Sequence, residues 1–169
     1  MAALVLAAAG TATPAMAQSQ ALLDCAVGTL DSSYRAAIGD AAMRGALDGV
    51  TGRLENAVTA CAGRYDLTVG QQAAYYQYSL TRTERDEFAR RLTSAGIPTS
   101  VIDDALDFGA GRSNPLYEGK LPDDAVNAMY GALKQSGVNV GAVADGTWGL
   151  IGVYMQSSST MWNAREKLP

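Results

Sequence analysis

Histidine is absent from all 169 residues. That removes Ser-His-Asp and Cys-His nucleophilic sites and histidine metal centres. The commonest general acid–base near neutral pH goes with them. Cysteine is nearly as scarce: Cys25 and Cys61 stand alone, too few for a thiolate metal cluster. Lysine occurs only as Lys120, Lys134 and Lys167, in a chain of net charge -4. Without a clustered basic surface, neither nucleic acid nor anionic lipid gains an electrostatic grip. No G-x-G-x-x-G, Walker-type loop or G-x-S-x-G pattern occurs. Carboxylate chemistry such as glycoside cleavage survives on residue grounds, with Glu84 and Glu118 as its glutamates. It ranks last among the readings, and no catalysis, cofactor or metal is expected.

What is present begins with an address. The chain opens on an apolar, alanine-rich run through Leu4, Val5 and Leu6, then Pro14 and Ala15-Met16-Ala17. The small residues form an A-x-A pattern, so a signal peptide is expected over 1–17 with cleavage after Ala17. No Lys or Arg precedes the apolar core, a departure from the pattern. The run is too short for a helix to cross a bilayer. Export to the periplasm or outside is the expectation, with no membrane span in the mature chain. Residues 18–169 then form a single compact domain, long enough to bury a core.

In an exported chain, Cys25 and Cys61 are most simply one disulfide, since two cysteines allow a single intramolecular connectivity. Nothing resembles a closely spaced C-x-x-C redox pair.

Apolar spacing is helical throughout. Leu22, Leu23, Ala26, Val27 and Leu30 define a first helix, and Asp31-Ser32-Ser33 offers a new N-cap. Residues 34–45 read as a short helix or loose turn. A better helix over 47–64 places Leu54, Val58 and Cys61 on one face. Thr68 to Gln71 has the form of a capping box opening a long segment, 69–95. Its expected stripe is Val69, Ala73, Tyr76, Leu80, Phe88 and Leu92. Thr81 to Glu84 could be a second capping box, so one helix or two are both open, and Glu84 reads as a cap. Asp86 with Arg90, and Glu87 with Arg91, have the acid-first i,i+4 order of a solvated helix face.

Gly96 and Pro98 separate the next helix, whose Asp103, Asp104 and Asp107 read as an acidic outer edge rather than a calcium site. Residues 109–121, GAGRSNPLYEGKL, form a loop long enough to be a binding element. Its candidate ligand residues are Arg112, Asn114, Tyr117 and Glu118. Pro122 to Asp124 starts another helix, with Val126, Met129, Tyr130 and Leu133 apolar. The last segment carries the apolar run 146–155, with Gly146, Gly149 and Gly152 forming a smooth ridge that another backbone could approach. Whether that backbone belongs to this chain or to another is left open.

The expectation is therefore an all-α domain of five to seven helices with a Cys25–Cys61 brace. Its leading role is structural or interactive in the cell envelope, the partner being another envelope protein or a second copy. A small-ligand or glycan-binding module built on the 109–121 loop is the alternative.

Overall fold

The computed structural model describes residues 14–169, with side chains from Gln20 onward. The expected leader and its cleavage site lie outside the residues described with side chains. Among the described residues the chain is all-helical, with seven α-helices and no strand. They are α1 (Pro14–Gly28), α2 (Ser32–Met43), α3 (Gly52–Arg64), α4 (Val69–Ser94), α5 (Thr99–Ala105), α6 (Asp123–Gln135) and α7 (Asp145–Arg165). A 3-10 turn, Val140–Ala142, precedes α7. No helix among the described residues is long and apolar enough to cross a membrane.

Local chemistry accounts for most boundaries. The Asp31 carboxylate accepts the Tyr34 backbone N–H at 2.8 Å and starts α2. The capping box between Thr68 and Gln71 is formed and starts α4. Gly96, at φ +76°, and Gly137, at φ +92°, end α4 and α6 in the left-handed region. The third helix begins later than its apolar spacing suggests. Gly49 sits at φ +86°, which an α-helix cannot contain, so residues 48–50 form a turn and the helix starts after it. Thr51 supplies no side-chain cap there. Instead the Tyr34 hydroxyl donates to the Val50 carbonyl and accepts the N–H groups of Arg53 and Leu54.

Helices α4 and α7 form the most extensive pair; α1, α2, α3 and α5 pack on α4, and α6 packs on α5. One apolar cluster joins α1 and α3 to the first half of α4 and the end of α7, around Leu22, Leu54, Tyr75 and Met161. A second joins α5 and α6 to the second half of α4 and the body of α7, around Phe88, Ile102, Leu133 and Tyr154. Cys25 and Cys61 are bonded within the first cluster, with their Cα atoms 6.1 Å apart. Tyr75 ties α4 to α1 by accepting the Ala26 N–H and donating to the Leu22 carbonyl.

Several expectations give way to tertiary structure. The α4 stripe is displaced: Val69 is exposed, and Ala74, Tyr75 and Tyr78 are buried beside Phe88 and Leu92. Helix α4 is continuous, and Thr81 forms no second cap, its hydroxyl bonding back to the Gln77 carbonyl. Glu84 is therefore no cap; it is buried against α7. Of the two acid-first pairs after it, Glu87–Arg91 forms, but on a covered face rather than a solvated one. Glu87 is buried, gripped by Arg90 at 2.6 and 2.9 Å and by Arg91 at 2.7 Å. Asp86 lies 3.7 Å from Arg82 and Arg85 instead of pairing with Arg90. The cause is α2, which packs on α4 at Gly39. A Cβ there would stand 2.7 Å from the Glu87 Cγ, so only glycine allows this approach. Ser157, Ser158 and Ser159 continue α7 without a break and are buried along it.

Candidate functional site

Two surface features are candidates for a functional site, and α7 lines both. The first is an apolar groove between α6 and α7, of about 430 Å³. Helix α6 buries Met129 and Leu133 in the second apolar cluster, but two large apolar side chains are left at the rim. Val126 is 38% exposed and Tyr130 44% exposed. Tyr130 stacks on Trp148 of α7, with ring centroids 5.8 Å apart and planes inclined by 23°. Ile151, Gly152 and Met155 continue the α7 wall. Beside it runs the glycine ridge. A Cβ placed on Gly146, Gly149 or Gly152 would meet nothing within 4 Å, so no part of the described chain packs against the ridge. The close approach that those glycines permit is unused within this chain.

The second feature involves the 109–121 loop, which α7 holds by a ladder of side chains. Gln156 donates to the Gly119 carbonyl at 3.3 Å. Ser159 donates to the Pro115 carbonyl and accepts the Tyr117 N–H, each at 2.8 Å. Asn163 donates to the Asn114 carbonyl at 2.8 Å. Loop and helix thus run antiparallel, rung by rung.

The four residues expected to bind a ligand divide between two roles. Asn114 is buried at φ +46°, its amide bonded to the backbone of Gly109 and Arg112, where it shapes the loop. Arg112 lies over Gly109 and pairs with Asp104 at 2.6 Å. Tyr117 and Glu118 line one polar cleft of about 350 Å³ between loop, α4 and α7. Burial pushes the Tyr117 hydroxyl above its ordinary range, and its ring meets Phe108 edge-on at 5.9 Å.

The carboxylates serve other ends. Asp103 turns inward from its expected outer edge, accepting from Arg85 at 2.6 Å and from the Tyr154 hydroxyl at 2.8 Å. Burial nonetheless raises it above the usual carboxylate range, Arg85 opposing the shift. Asp104 pairs with Arg112 and Asp107 accepts the Ser113 N–H, so the three aspartates face three different partners. No group able to hold a metal ion occurs among the described residues. Glu84 accepts from Ser157 at 2.9 Å, and burial raises its carboxyl. It lines neither the groove nor the cleft that carries Glu118.

The groove was only half visible in the sequence. Val126 and Tyr130 counted as core because their spacing matches Met129 and Leu133. In the fold Met129 and Leu133 are buried, while Val126 and Tyr130 stay exposed on the groove. Comparison with known proteins finds no matching family, no similar curated protein and no similar solved structure.

Proposed function

We propose that this protein is an exported, non-catalytic interaction protein of the cell envelope. It takes an apolar helical segment of another envelope protein into the groove between α6 and α7. The observation that carries the reading is the pairing of the stacked Tyr130 and Trp148 with the open glycine ridge. Stacked aromatics at a groove rim supply large contact area at low conformational cost. A glycine ridge lets a partner backbone approach closely. The stretch of α7 from Trp148 to Met155 is roughly 10 Å long, two helical turns, at the usual rise per residue. That length suits a short helix better than a single side chain. The disulfide supports an oxidising compartment. The absence of histidine supports a role without acid–base catalysis.

The test is site-specific photocrosslinking in intact envelopes. A photoreactive residue at Val126 should give an adduct that the same residue at Val69, exposed on α4, does not. Peptide mapping should place the crosslink in an apolar segment, and Tyr130→Lys should abolish it without loss of helicity. An adduct of twice the protein's own mass would replace the envelope partner with a second copy. Equal labelling from both positions would sink the groove as an interface.

A further inference from the structure

The polar cleft uses none of the groove's residues and has a different chemistry. Gln77 reaches it from α4, Glu118 from the loop, Thr160 from α7 and Lys167 from just beyond the end of α7. Among the described residues, none of these four side chains makes a hydrogen bond or an ion pair. Their neighbours are already committed: Gln156 and Asn163 hold the loop backbone. The result is a fixed frame around uncommitted polar groups.

The frame is specific in its charge. It presents one carboxylate and one ammonium, Glu118 and Lys167, which do not pair with each other. The same cleft is lined by an amide that both donates and accepts, Gln77, and by a hydroxyl, Thr160. The volume, about 350 Å³, lies at the small end of the range for ligand sites. We infer that this cleft binds a small zwitterion of the amino-acid or short-peptide class. Lys167 receives the ligand's carboxylate, Glu118 receives its ammonium, and Gln77 with Thr160 hydrogen-bonds the backbone amide between them. A neutral sugar would satisfy the amide and hydroxyl but leave both charges to solvent. An apolar ligand would engage none of the four groups. The ladder from α7 preorganises the loop, which lowers the ordering cost of binding.

Isothermal titration calorimetry on the full chain at low salt tests this with three probes. These are free alanyl-alanine, the same dipeptide acetylated and amidated at its ends, and N-acetylglucosamine. Free dipeptide should bind, and capping should weaken it at least about tenfold, or roughly 1.4 kcal/mol. Glu118→Gln and Lys167→Met should each weaken free dipeptide by a similar factor. Both residues are exposed, so the fold should hold by circular dichroism. Val69→Ser, on the exposed start of α4, should leave binding unchanged. Equal binding of free and capped dipeptide would overturn the assignment of the two charges. Binding of the sugar alone would make the cleft a glycan site. No heat from any probe up to about 10 mM, a free energy below roughly 3 kcal/mol, would overturn the site itself.

Discussion

The Ser157 hydroxyl lies 2.9 Å from a Glu84 carboxylate oxygen, and it is the one hydrogen bond that carboxylate receives among the described residues. A charged carboxylate in the interior with a single neutral partner is underbonded, which is why burial raises Glu84 above its ordinary range. A raised native-state value means that the folded protein holds this proton more tightly than the unfolded chain. The stability it contributes is fully present below the unfolded value. It is lost as pH rises through the native one. Glu84→Gln removes that dependence. Urea unfolding of both proteins from pH 4 to pH 8 should show the wild type losing ground to the variant as pH rises. The effect should be of the order of 1–3 kcal/mol. A difference that stays constant with pH would show that Glu84 does not titrate in this range.

Gly39 should be the least replaceable helical glycine. Elsewhere in a helix, Gly→Ala gains up to about 1 kcal/mol from helix propensity. At Gly39 the new methyl would press on Glu87 and Arg91. Gly39→Ala should therefore destabilise by roughly 1–3 kcal/mol, as overpacking does. Gly131→Ala, in α6 with no atom near its Cβ position, should stabilise. Thermal melts of the two variants moving in the same direction would contradict this packing.

Gly149 separates internal packing from partner contact. Its Cβ position is open, so Gly149→Ala should raise stability by about 0.5–1 kcal/mol. Gly149→Leu should fold as well and yet lose the crosslink from Val126, because the bulk blocks close backbone approach. Retained crosslinking in the leucine variant would remove the ridge from the interface.

Reduction of the Cys25–Cys61 bond opens a loop of sequence separation 36. Loop-closure entropy sets the expected loss at about 4 kcal/mol, less any strain the bond carries. Differential scanning calorimetry with and without a reductant should show the shift, and Cys25→Ser with Cys61→Ser should reproduce it. An unchanged melting temperature would mean that the helices hold each other without the bond.

Features set by a few neighbouring residues could be read directly. Asp31 and Thr68 form caps because the backbone they serve lies within three residues. Gly96 and Gly137 end helices for a similarly local reason. The cysteine pairing followed from there being two. Glu84, Glu87, Asp103 and the serines of α7 were opaque because polar helical residues carry no local mark of burial. For Glu84 and Asp103 the partners come across helices, as Ser157 supplies Glu84 over a separation of 73 residues, and for Glu87 the burial comes from the covering helix α2. The candidate loop was located, but its division of labour was not. Whether Asn114 faces a ligand or its own backbone depends on a left-handed turn that no spacing rule reports. The α4 stripe missed for a related reason: a long helix touched by partners on several sides has no single apolar face.

The pairing of α4 with α7 imposes an order of assembly. A chain made from its N-terminus can close α1, α2 and α3 onto α4 early. The α7 side of α4, with Glu84 on it, stays wet until α7 emerges. Loss of even the final turns of α7 would therefore strip Met161 and Ala164 from the first cluster and the Asn163 rung from the loop. Helix α7 is the closing latch of both clusters, and a product truncated within it should be recognised and degraded as unfinished.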